Sequence, residues 1–412
     1  MENRVVITGM GIWSCLGKTL DEVRDALYAG KSGIVFSRER KDAGFRSALC
    51  AAVGQPDLKP FVSRNLRQFM PEEAQYAYMA TRAALEHARL EQDYIDRHEV
   101  GVIYGNDSVA EATMRALDKF REFKDTAACG SGAIFQSMNS TVTMNLACLF
   151  HLRGINLTAS AACASGSHAV GLAYLLVRNG MQDCVVCGGA QEANLYGVAS
   201  FDGIQSFSVR EDEPEKASRP FDRDRDGLVP GGGAATVVVE GYEHALKRGA
   251  PILCEIVGWG FSGNGDHIST PNVAGPARSL ELCLQHAGVT PSQIGYINAH
   301  ATSTRIGDSR EAQAIAQVFG DYKVPVTSTK SQTGHEMWMA GASELIYSTL
   351  MMKNGFIAGN INFEHPDEDT ACLNIIPQTR EAHFDMFLSN SFGFGGTNST
   401  PVSYTHLTLP TN

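Results

Sequence analysis

Thr158-Ala-Ser-Ala-Ala-Cys163-Ala-Ser-Gly166-Ser-His168 is the stretch that decides the fold, because it closes an extended run and opens a helix within a few small residues. The preceding residues 155–158 are typical of a strand, and apolar residues recur at helical spacing from Ala169 onward. This pattern predicts a sharp strand-to-helix turn with the Cys163 thiol at the helix N-terminus. Free backbone N–H groups and the helix dipole at that position favour thiolate, so we expect a thiol pKa below its ordinary value of about 8.5. The alternative is a buried structural cysteine, which behaves as a small hydrophobe.

The same alternation of short strands and helices runs through the rest of the chain. Strands are predicted at residues 5–9, 100–104, 155–158, 184–188 and 234–240, and helices at 20–29, 73–90 and 168–179. The second half repeats the pattern, with strands at 252–258, 294–299 and 324–327 and helices at 278–287, 310–319 and 340–353. Alternation of this kind predicts an α/β fold with largely buried strands. We therefore expect two similar units, 1–249 with the cysteine and 250–400, divided near Gly249-Ala-Pro251. Pro401 and Pro410 interrupt any central strand, so residues 401–412 are predicted to be an atypical tail.

Composition excludes several classes of protein. The 412 residues include 43% hydrophobic residues, which is ample for a large core, and carry a net charge of −11, which disfavours binding to nucleic acid. No apolar run approaches the length of about 18 residues that a membrane span needs, so no membrane insertion is expected. Ten cysteines without a secretory segment predict reduced thiols and a cytoplasmic protein.

Two histidines have neighbourhoods that suggest chemistry. Asn298-Ala-His300-Ala-Thr-Ser-Thr304 places His300 at the C-terminal end of a predicted strand, where α/β folds bind ligands. Lys330-Ser-Gln-Thr-Gly-His335 places a lysine and a second histidine across a short polar turn. Each histidine alone is more often structural, but together with Cys163 they supply a nucleophile, a proton handler and electrophilic donors.

Asn390-Ser-Phe392-Gly-Phe394-Gly-Gly-Thr-Asn398 is the fourth element. Its glycines let the backbone approach a ligand closely, and one of its N–H groups paired with that of Cys163 would form an oxyanion hole. The alternative is a simple glycine hairpin, which leaves the two phenylalanines unexplained.

Three other motifs fail. Gly9-Met-Gly11-Ile-Trp-Ser14 lacks the third glycine of the dinucleotide-binding fingerprint, and Gly231-Gly-Gly233 lacks the lysine of a phosphate loop. Cys184-Val-Val-Cys187 has no second cysteine pair, which disfavours zinc. No cofactor and no metal ion are therefore expected.

Five motifs in order carry a specific resemblance that covers about residues 3–400. They are Ala162-Cys163-Ala-Ser-Gly166, Arg219-Pro-Phe-Asp-Arg-Asp-Arg-Asp-Gly227, Asn298 to Thr304, Lys330 to His335 and Ser391-Phe-Gly-Phe-Gly-Gly-Thr-Asn398. Together they resemble β-ketoacyl-[acyl-carrier-protein] synthases of the decarboxylating I/II class. The resemblance implies the thiolase fold, with two similar βαβαβ-type halves in an α-β-α-β-α arrangement, and a homodimer.

The resemblance also implies an activity and its residues. Cys163 would accept an acyl chain from an acyl carrier protein, and His300 and His335 would bind malonyl carrier protein and promote its decarboxylation. The product would be a 3-ketoacyl group two carbons longer, as in fatty-acid elongation. Supporting roles are implied for Lys330 and Glu344 (electrostatic support), Phe392 (oxyanion hole with Cys163), Phe394 (aromatic gate), and Arg64 and Arg67 (carrier-protein docking).

The sequence departs from the family pattern after His335, where Glu336-Met-Trp338-Met replace small and aliphatic residues, and at Gly231-Gly-Gly233, where a glutamate is lost. These departures bear on chain-length preference. Two alternatives remain: a polyketide or specialised-lipid ketosynthase, and a non-catalytic partner subunit like the chain-length factors, against which Cys163 argues. A thiolase is disfavoured because it typically uses a second cysteine late in the chain.

Overall fold

The computed structural model describes residues 2–405, and its core is one large mixed sheet. The strands of the first half are β1 (Val5–Trp13), β2 (Ile34–Phe36), β3 (Leu49–Ala51), β4 (Val100–Gly105), β5 (Asn156–Ala159), β6 (Cys184–Gln191) and β7 (Gly233–Gly241). The strands of the second half are β8 (Cys254–Gly263), β9 (Tyr296–Asn298), β10 (Pro325–Thr327), β11 (Phe356–Ile357), β12 (Asn374–Ile375), β13 (Arg380–Glu381), β14 (Met386–Ser389), β15 (Ser391–Gly393) and β16 (Thr397–Tyr404).

The helices lie between these strands. Those of the first half are α1 (Leu20–Tyr28), α2 (Arg38–Asp42), α3 (Arg64–Arg67), α4 (Glu72–His87), α5 (Gln92–Ile95), α6 (Ala110–Phe123), α7 (Ala133–Ser137), α8 (Thr141–Phe150), α9 (Ser165–Arg178), α10 (Leu195–Gly203) and α11 (Tyr242–Lys247). Those of the second half are α12 (Ala274–Ala287), α13 (Arg305–Phe319), α14 (Lys330–Thr333) and α15 (Ala340–Asn354). The six predicted helices are present as α1, α4, α9, α12, α13 and α15, and the other helices within residues 2–405 were not predicted. None of the helices within residues 2–405 is long and apolar enough to cross a membrane.

The two halves repeat one strand order. In the first half it is β5-β4-β6-β7-β1, and in the second it is β10-β9-β14-β16-β8. In both halves the first three strands run parallel to one another, and the fourth strand runs antiparallel to the strands on either side of it. The half-sheets meet edge to edge where β1 pairs antiparallel with β8. A shared order and orientation is what two units of common architecture produce.

The two half-sheets enclose a central layer that contains α9 and α15. Further helices cover the outer faces, α4 and α8 on the first half-sheet and α12 and α13 on the second, which gives the predicted α-β-α-β-α layers. In β6, Val185 and Cys187 face a core that includes α9 and α15, whereas Cys184 and Val186 face a core that includes α4 and α8. The outer face of the second half-sheet packs against α12 and α13. Alternate residues of a strand point to opposite faces, so burial on both sides explains the nearly continuous apolar runs of these strands.

The predicted tail beginning at residue 401 is wrong, because β16 continues to Tyr404 as an interior strand between β14 and β8. Pro401 is tolerated because it lies in a gap of the pairing on one side: the register with β15 ends at Ser399, and that with β14 begins at Val402. The missing N–H of proline therefore removes no ladder bond there. The remainder of the predicted tail, residues 406–412, lies outside the described residues.

We predict that Val402→Asp lowers the apparent free energy of unfolding by at least about 3 kcal/mol, because it places an unpaired carboxylate in the core of the second half. Urea titration followed by circular dichroism measures the change. Leu246→Asp on exposed α11 is the control, with an expected effect within about 0.5 kcal/mol. Equal small effects of both changes would contradict the placement of Val402 in an interior strand.

Candidate active site

Cys163 lies in a single turn of 3₁₀ helix, Ala162–Ala164, between β5 and α9. The predicted strand-to-helix turn is thus present, and its sharpness appears at Ala162, whose φ of 46° lies in the region that non-glycine residues seldom adopt. Ser165 Oγ accepts a hydrogen bond from the Ala161 N–H at 2.8 Å and donates one to the Ala162 carbonyl at 2.6 Å, which holds the turn closed. A Cβ at Gly166 would lie 2.8 Å from the Trp338 carbonyl oxygen, so only glycine lets α9 begin this close to the loop before α15.

The two histidines come from the second half-sheet. His300 follows β9, and Lys330 begins α14 after the neighbouring parallel strand β10, as the sequence predicts. His335 is fixed by its backbone: its N–H donates to the Val229 carbonyl at 2.7 Å, and its carbonyl accepts from Gly231 N–H at 2.8 Å. The glycine run at 231–233 therefore holds the backbone of His335, a role that the sequence did not suggest.

The structure brings Cys163, His300 and His335 to one cavity of about 590 Å³. The imidazole rings of His300 and His335 lie edge to face with their centroids 5.3 Å apart, and the Phe392 ring lies 5.9 Å from that of His300. The first half-sheet supplies the thiol and the second supplies both imidazoles. Residues that are distant in the chain therefore converge on one reaction space.

Several ring nitrogens in this cavity have no hydrogen-bond partner within residues 2–405. They are both nitrogens of His335 and Nδ1 of His300. Burial lowers the pKa of both histidines well below the ordinary value, and the nearby Lys330 ammonium lowers the pKa of each further. Both imidazoles are therefore neutral at pH 7. Unpaired buried polar atoms are rare, and here they are available to a bound molecule.

The expected low pKa of the Cys163 thiol is wrong. Burial raises its pKa to about 12, although Lys330 and the backbone N–H groups of Cys163 and Phe394 act in the opposite direction. The helix N-terminus is present, but removing the sulfur from water outweighs it. The resting thiol is therefore protonated at neutral pH and has to lose its proton during any reaction.

Buried charges surround Lys330. Its Nζ donates a hydrogen bond to Glu344 Oε1, and both side chains are buried. Burial raises the pKa of Glu344 to about 8 and that of Glu336 to about 7, each against the opposing effect of Lys330. Glu336 accepts hydrogen bonds from Ser343 Oγ and Tyr347 Oη. Lys330 and Glu344, for which the resemblance implies electrostatic support, are thus in direct contact.

Glu311 positions His300, and sequence reasoning missed it. One carboxylate oxygen accepts the His300 N–H at 2.9 Å and the Asn390 side-chain amide at 2.9 Å, and the other accepts the Ala301 N–H at 2.7 Å. Burial raises the pKa of Glu311 to about 7. Glutamates are common on helices, so nothing at this position in the sequence marked it.

The glycine-rich segment reaches the thiol through Phe394. The backbone N–H of Phe394 donates a hydrogen bond to the Cys163 sulfur. Phe392, which the sequence analysis paired with Cys163, is instead paired with Asn398 in the hairpin of β15 and β16. The Phe394 ring is 42% exposed, lies parallel to the Phe201 ring at 6.3 Å between centroids, and precedes two glycines of positive φ.

Two predicted groups lie wholly or mostly outside this cavity, which only Asp226 and Gly227 of the second group line. Arg64 is exposed and Arg67 half-buried on α3, and within residues 2–405 no carboxylate lies within ion-pair distance of either. The Arg219 to Gly227 motif forms buried ion pairs, Arg219 with Asp222 at 2.8 Å and Arg225 with Asp367 at 2.6 Å, so its charges are structural.

A larger cavity of about 720 Å³ lies elsewhere, and its lining includes Arg40, Glu72, Glu111 and Asn194 but no histidine. The carboxylates of Glu72, Glu111 and Glu192 approach one another there, as metal ligands would. The Asn194 side-chain amide donates to all three, at 2.8, 3.3 and 2.8 Å. Cys50 also lines this cavity, and burial raises the pKa of its thiol.

Comparisons with known proteins agree with this geometry. The family described as "Beta-ketoacyl synthase, N-terminal domain" matches residues 2–245, and "Beta-ketoacyl synthase, C-terminal domain" matches residues 253–364. The chain is 42% identical over 405 residues to 3-oxoacyl-[acyl-carrier-protein] synthase 1 of Haemophilus influenzae, covering 97% of this chain and 98% of that protein.

Solved structures are similar over nearly the whole chain. A β-ketoacyl synthase from Burkholderia phymatum superimposes with a TM-score of 0.93 at 36% identity, covering 98% of this chain and 100% of that one. A ketosynthase in complex with a type II PKS acyl-carrier protein, bound to the hexaketide, gives a TM-score of 0.89 at 28% identity, with coverage of 98% and 100%.

We predict that the rate of Cys163 alkylation rises about tenfold per pH unit from pH 7 to pH 10, because the thiolate is the nucleophile and its fraction grows tenfold per unit below the pKa. Short iodoacetamide pulses followed by peptide mass spectrometry measure this rate. Cys283, which is fully buried in the core of the second half, is the control and should stay unmodified. A plateau for Cys163 below pH 9 would contradict the raised pKa.

Proposed function

The chain belongs to the β-ketoacyl synthase family, and we propose that it condenses an acyl group held on Cys163 with malonyl-[acyl-carrier-protein]. The products are CO₂ and a 3-oxoacyl carrier protein extended by two carbons, as in fatty-acid elongation. The observation that carries the proposal is the single cavity lined by Cys163, His300 and His335, whose ring nitrogens include three without a hydrogen-bond partner within residues 2–405.

The first half-reaction is acyl transfer to Cys163. The sulfur attacks the carbonyl carbon of an acyl thioester, a new C–S bond forms, and the bond to the carrier's sulfur breaks. The proton that the thiol loses ends on the carrier's thiol, and a neutral imidazole of the site can relay it. The N–H groups of Cys163 and Phe394 both lie at the sulfur, so they are the pair we assign to the oxyanion hole, in place of Cys163 and Phe392.

The second half-reaction is decarboxylation of the malonyl group. Its C–C bond to the carboxylate breaks, CO₂ leaves, and the electron pair passes into an enolate. The enolate oxygen gains charge as the bond breaks, and one N–H from each of His300 and His335 stabilises it there. The enolate carbon then attacks the acyl thioester, and the Cys163 thiolate leaves and recovers a proton from solvent water, which a neutral imidazole of the site can relay.

Lys330 keeps this arrangement in the required protonation state. Its ammonium lowers the pKa of both histidines, so they act as neutral hydrogen-bond donors rather than as cations. Glu344 holds the ammonium, and Glu311 fixes the backbone of His300. We assign Lys330 and Glu344 as electrostatic support and Glu311 as a positioning residue.

We predict that the two half-reactions separate by mutation. Cys163→Ala should abolish acylation by acyl carrier protein and retain decarboxylation of malonyl carrier protein. His300→Ala and His335→Ala should each slow decarboxylation by about 100- to 1000-fold, because each removes a donor to the enolate. Intact mass measures the acyl adduct, and CO₂ release measures decarboxylation.

The matched control for that experiment is Cys283→Ala, a buried cysteine of the second core that should leave both half-reactions intact. Acylation that persists in Cys163→Ala would overturn the assigned nucleophile. Decarboxylation at wild-type rate in both histidine variants would overturn the assigned enolate site.

Carrier-protein docking is assigned to Arg64 and Arg67. Arg64 is exposed, and neither arginine has an ion-pair partner in the part of the chain that the structure describes, so two cations are ready for an acidic partner. A ketosynthase bound to its acyl-carrier protein is among the similar structures, which supports a partner of this class.

We predict that the double change Arg64→Glu and Arg67→Glu raises KM for acyl carrier protein by about tenfold or more. It should also weaken the dependence of this KM on salt concentration, because charges at the rim of an interface act mainly on the rate of association, and salt screens them. KM for a small acyl thioester should not change. Lys247→Glu, exposed on α11, is the control. An equal rise in KM for both substrates would count against docking at these arginines.

A homodimer is proposed from the surface around β5. This strand is at the edge of the first half-sheet, and its Leu157 side chain is 43% exposed. Further exposed apolar side chains lie on and near α6 and α7: Met114, Leu117, Phe120, Phe123, Ile134, Phe135 and Met138. Open strand edges and large apolar patches mark interaction surfaces, and a second copy that extends the sheet would cover both.

Two finer assignments accompany this function. We propose a division into two units near Gly249, supported by the repeated strand order and by family matches that end at 245 and begin at 253. We propose a cytoplasmic location, supported by ten cysteines that are all free thiols. A polyketide ketosynthase would use the same site, and the higher identity to a 3-oxoacyl synthase (42% against 28%) favours fatty-acid elongation.

A further inference from the structure

The apolar side of Cys163 is closed by a buried cluster. Its buried members are Cys163, Val198, Phe207, Leu228, Met337 and Trp338, with Phe45, Ala162 and Phe201 packed against them. Within this cluster, Phe201, Leu228 and Met337 line the reaction cavity, whereas Trp338 does not. The largest side chain of the cluster is therefore buried, and its ring lies next to that of Phe201.

The rest of the cavity lining mixes polar side chains, such as His300, His335 and Thr302, with apolar ones, such as Ile268 and Ile306. An acyl chain attached to Cys163 leaves water only where apolar surface meets it, and the cluster is the apolar wall at the sulfur. A chain that grows from the sulfur thus extends toward Phe201 and Met337, and next meets Trp338.

Three aromatic rings form a series from the buried Trp338 to the exposed Phe394. The Trp338 and Phe201 rings have centroids 6.2 Å apart, and Phe201 lies parallel to the exposed Phe394 at 6.3 Å. Phe394 and Phe201 both line the cavity, whereas Trp338 is buried and does not line it.

Two features at Trp338 are expected to destabilise the fold. Its indole Nε1–H is buried without a hydrogen-bond partner within residues 2–405. Buried tryptophans usually pair this group, because an unpaired buried donor costs free energy. The residue before Trp338, Met337, has a φ of 47°, a strained conformation for a side chain of this size. Strain and unpaired polar groups persist at sites where the geometry serves function.

Trp259 offers the contrast. It is equally buried, but its Nε1–H donates to Ser399 Oγ at 2.7 Å. Its ring packs in the core shared by the two half-sheets, away from the Cys163 cluster. The indole N–H is thus hydrogen-bonded in Trp259, which lies away from the cavity, and unpaired in Trp338, which lies in the cluster with Cys163.

We propose that Trp338 is the floor of the acyl subsite and restricts the acyl group on Cys163 to short chains. This inference rests on the proposed function, because it assigns the acyl length that the same nucleophile accepts. Trp338 acts by volume: an acyl chain long enough to pass Phe201 and Met337 has to displace its buried ring. The restriction falls on acylation of the thiol, before the malonyl group is involved.

The test measures acylation of Cys163 by one carrier protein loaded with butyryl, octanoyl, dodecanoyl or hexadecanoyl groups, with no malonyl substrate present. Intact mass followed in time gives the rate for each length. We expect the wild-type protein to react with butyryl at least about tenfold faster than with hexadecanoyl, since even one methylene group in a closed pocket changes rates by about that factor. Trp338→Ala should reduce this ratio by at least about tenfold.

Two further variants make the test independent of a single folding outcome. Trp338→Phe keeps an aromatic ring of smaller volume and should give an intermediate ratio. Trp259→Phe is the matched control and should retain the wild-type ratio, even where its melting temperature falls through loss of the hydrogen bond to Ser399. Circular dichroism establishes that each variant is folded.

The outcomes separate the two proposals. Equal rates for butyryl and hexadecanoyl groups in the wild-type protein would overturn the role of Trp338 and leave the proposed function standing. A folded Trp338→Ala variant with the wild-type ratio would do the same. No adduct on Cys163 from any acyl group would overturn the proposed function itself, and the acyl subsite with it.

Discussion

The close approach of α9 and the segment before α15 is the constraint on which the site depends. A Cβ at Gly166 would lie 2.8 Å from the Trp338 carbonyl oxygen. A Cβ at Gly341, in the first turn of α15, would lie 2.5 Å from the Cβ of Ser167. Real Cβ atoms do not approach other atoms this closely, so each contact requires glycine. If these two segments stood apart by one side chain, the thiol from the first half and the imidazoles from the second would no longer share a cavity. The site therefore depends on backbone packing between the halves.

That packing also removes water, and the absence of water sets the protonation states. Burial raises the pKa of Cys163 and lowers the pKa of His300 and His335, so all three groups are neutral at rest. The helix N-terminus and Lys330 do act on the thiol, but desolvation of a buried charge is the larger effect. Lys330, which donates a hydrogen bond to Glu344, supplies the buried positive charge of the site. Negative charge then develops only on the substrate, where fixed dipoles stabilise it.

The two halves share an architecture and differ in what they contribute. Both repeat one strand order, and the first half uses the start of its central helix for a nucleophile, while the second uses the ends of its parallel strands for histidines. The ends of β9, β10 and β14 meet at one edge because these strands are parallel neighbours. An apolar cluster with Trp338 closes the other side of the thiol. Chemistry and substrate selection therefore lie on opposite walls of one cavity.

The main elements and the residues proposed to react could be read from the sequence alone. Hydrophobic alternation predicted eight of the strands and six of the helices, since side-chain period depends on local geometry, and the five motifs singled out Cys163, His300, His335 and Lys330. The pKa of Cys163 required the folded chain, because burial depends on residues far away in the chain. The folded chain also decided that Phe394 rather than Phe392 reaches the sulfur, that Glu311 holds His300, and that Pro401 sits in an interior strand. Each of these depends on which neighbour lies across a gap of a few ångströms, and local sequence carries no record of that neighbour.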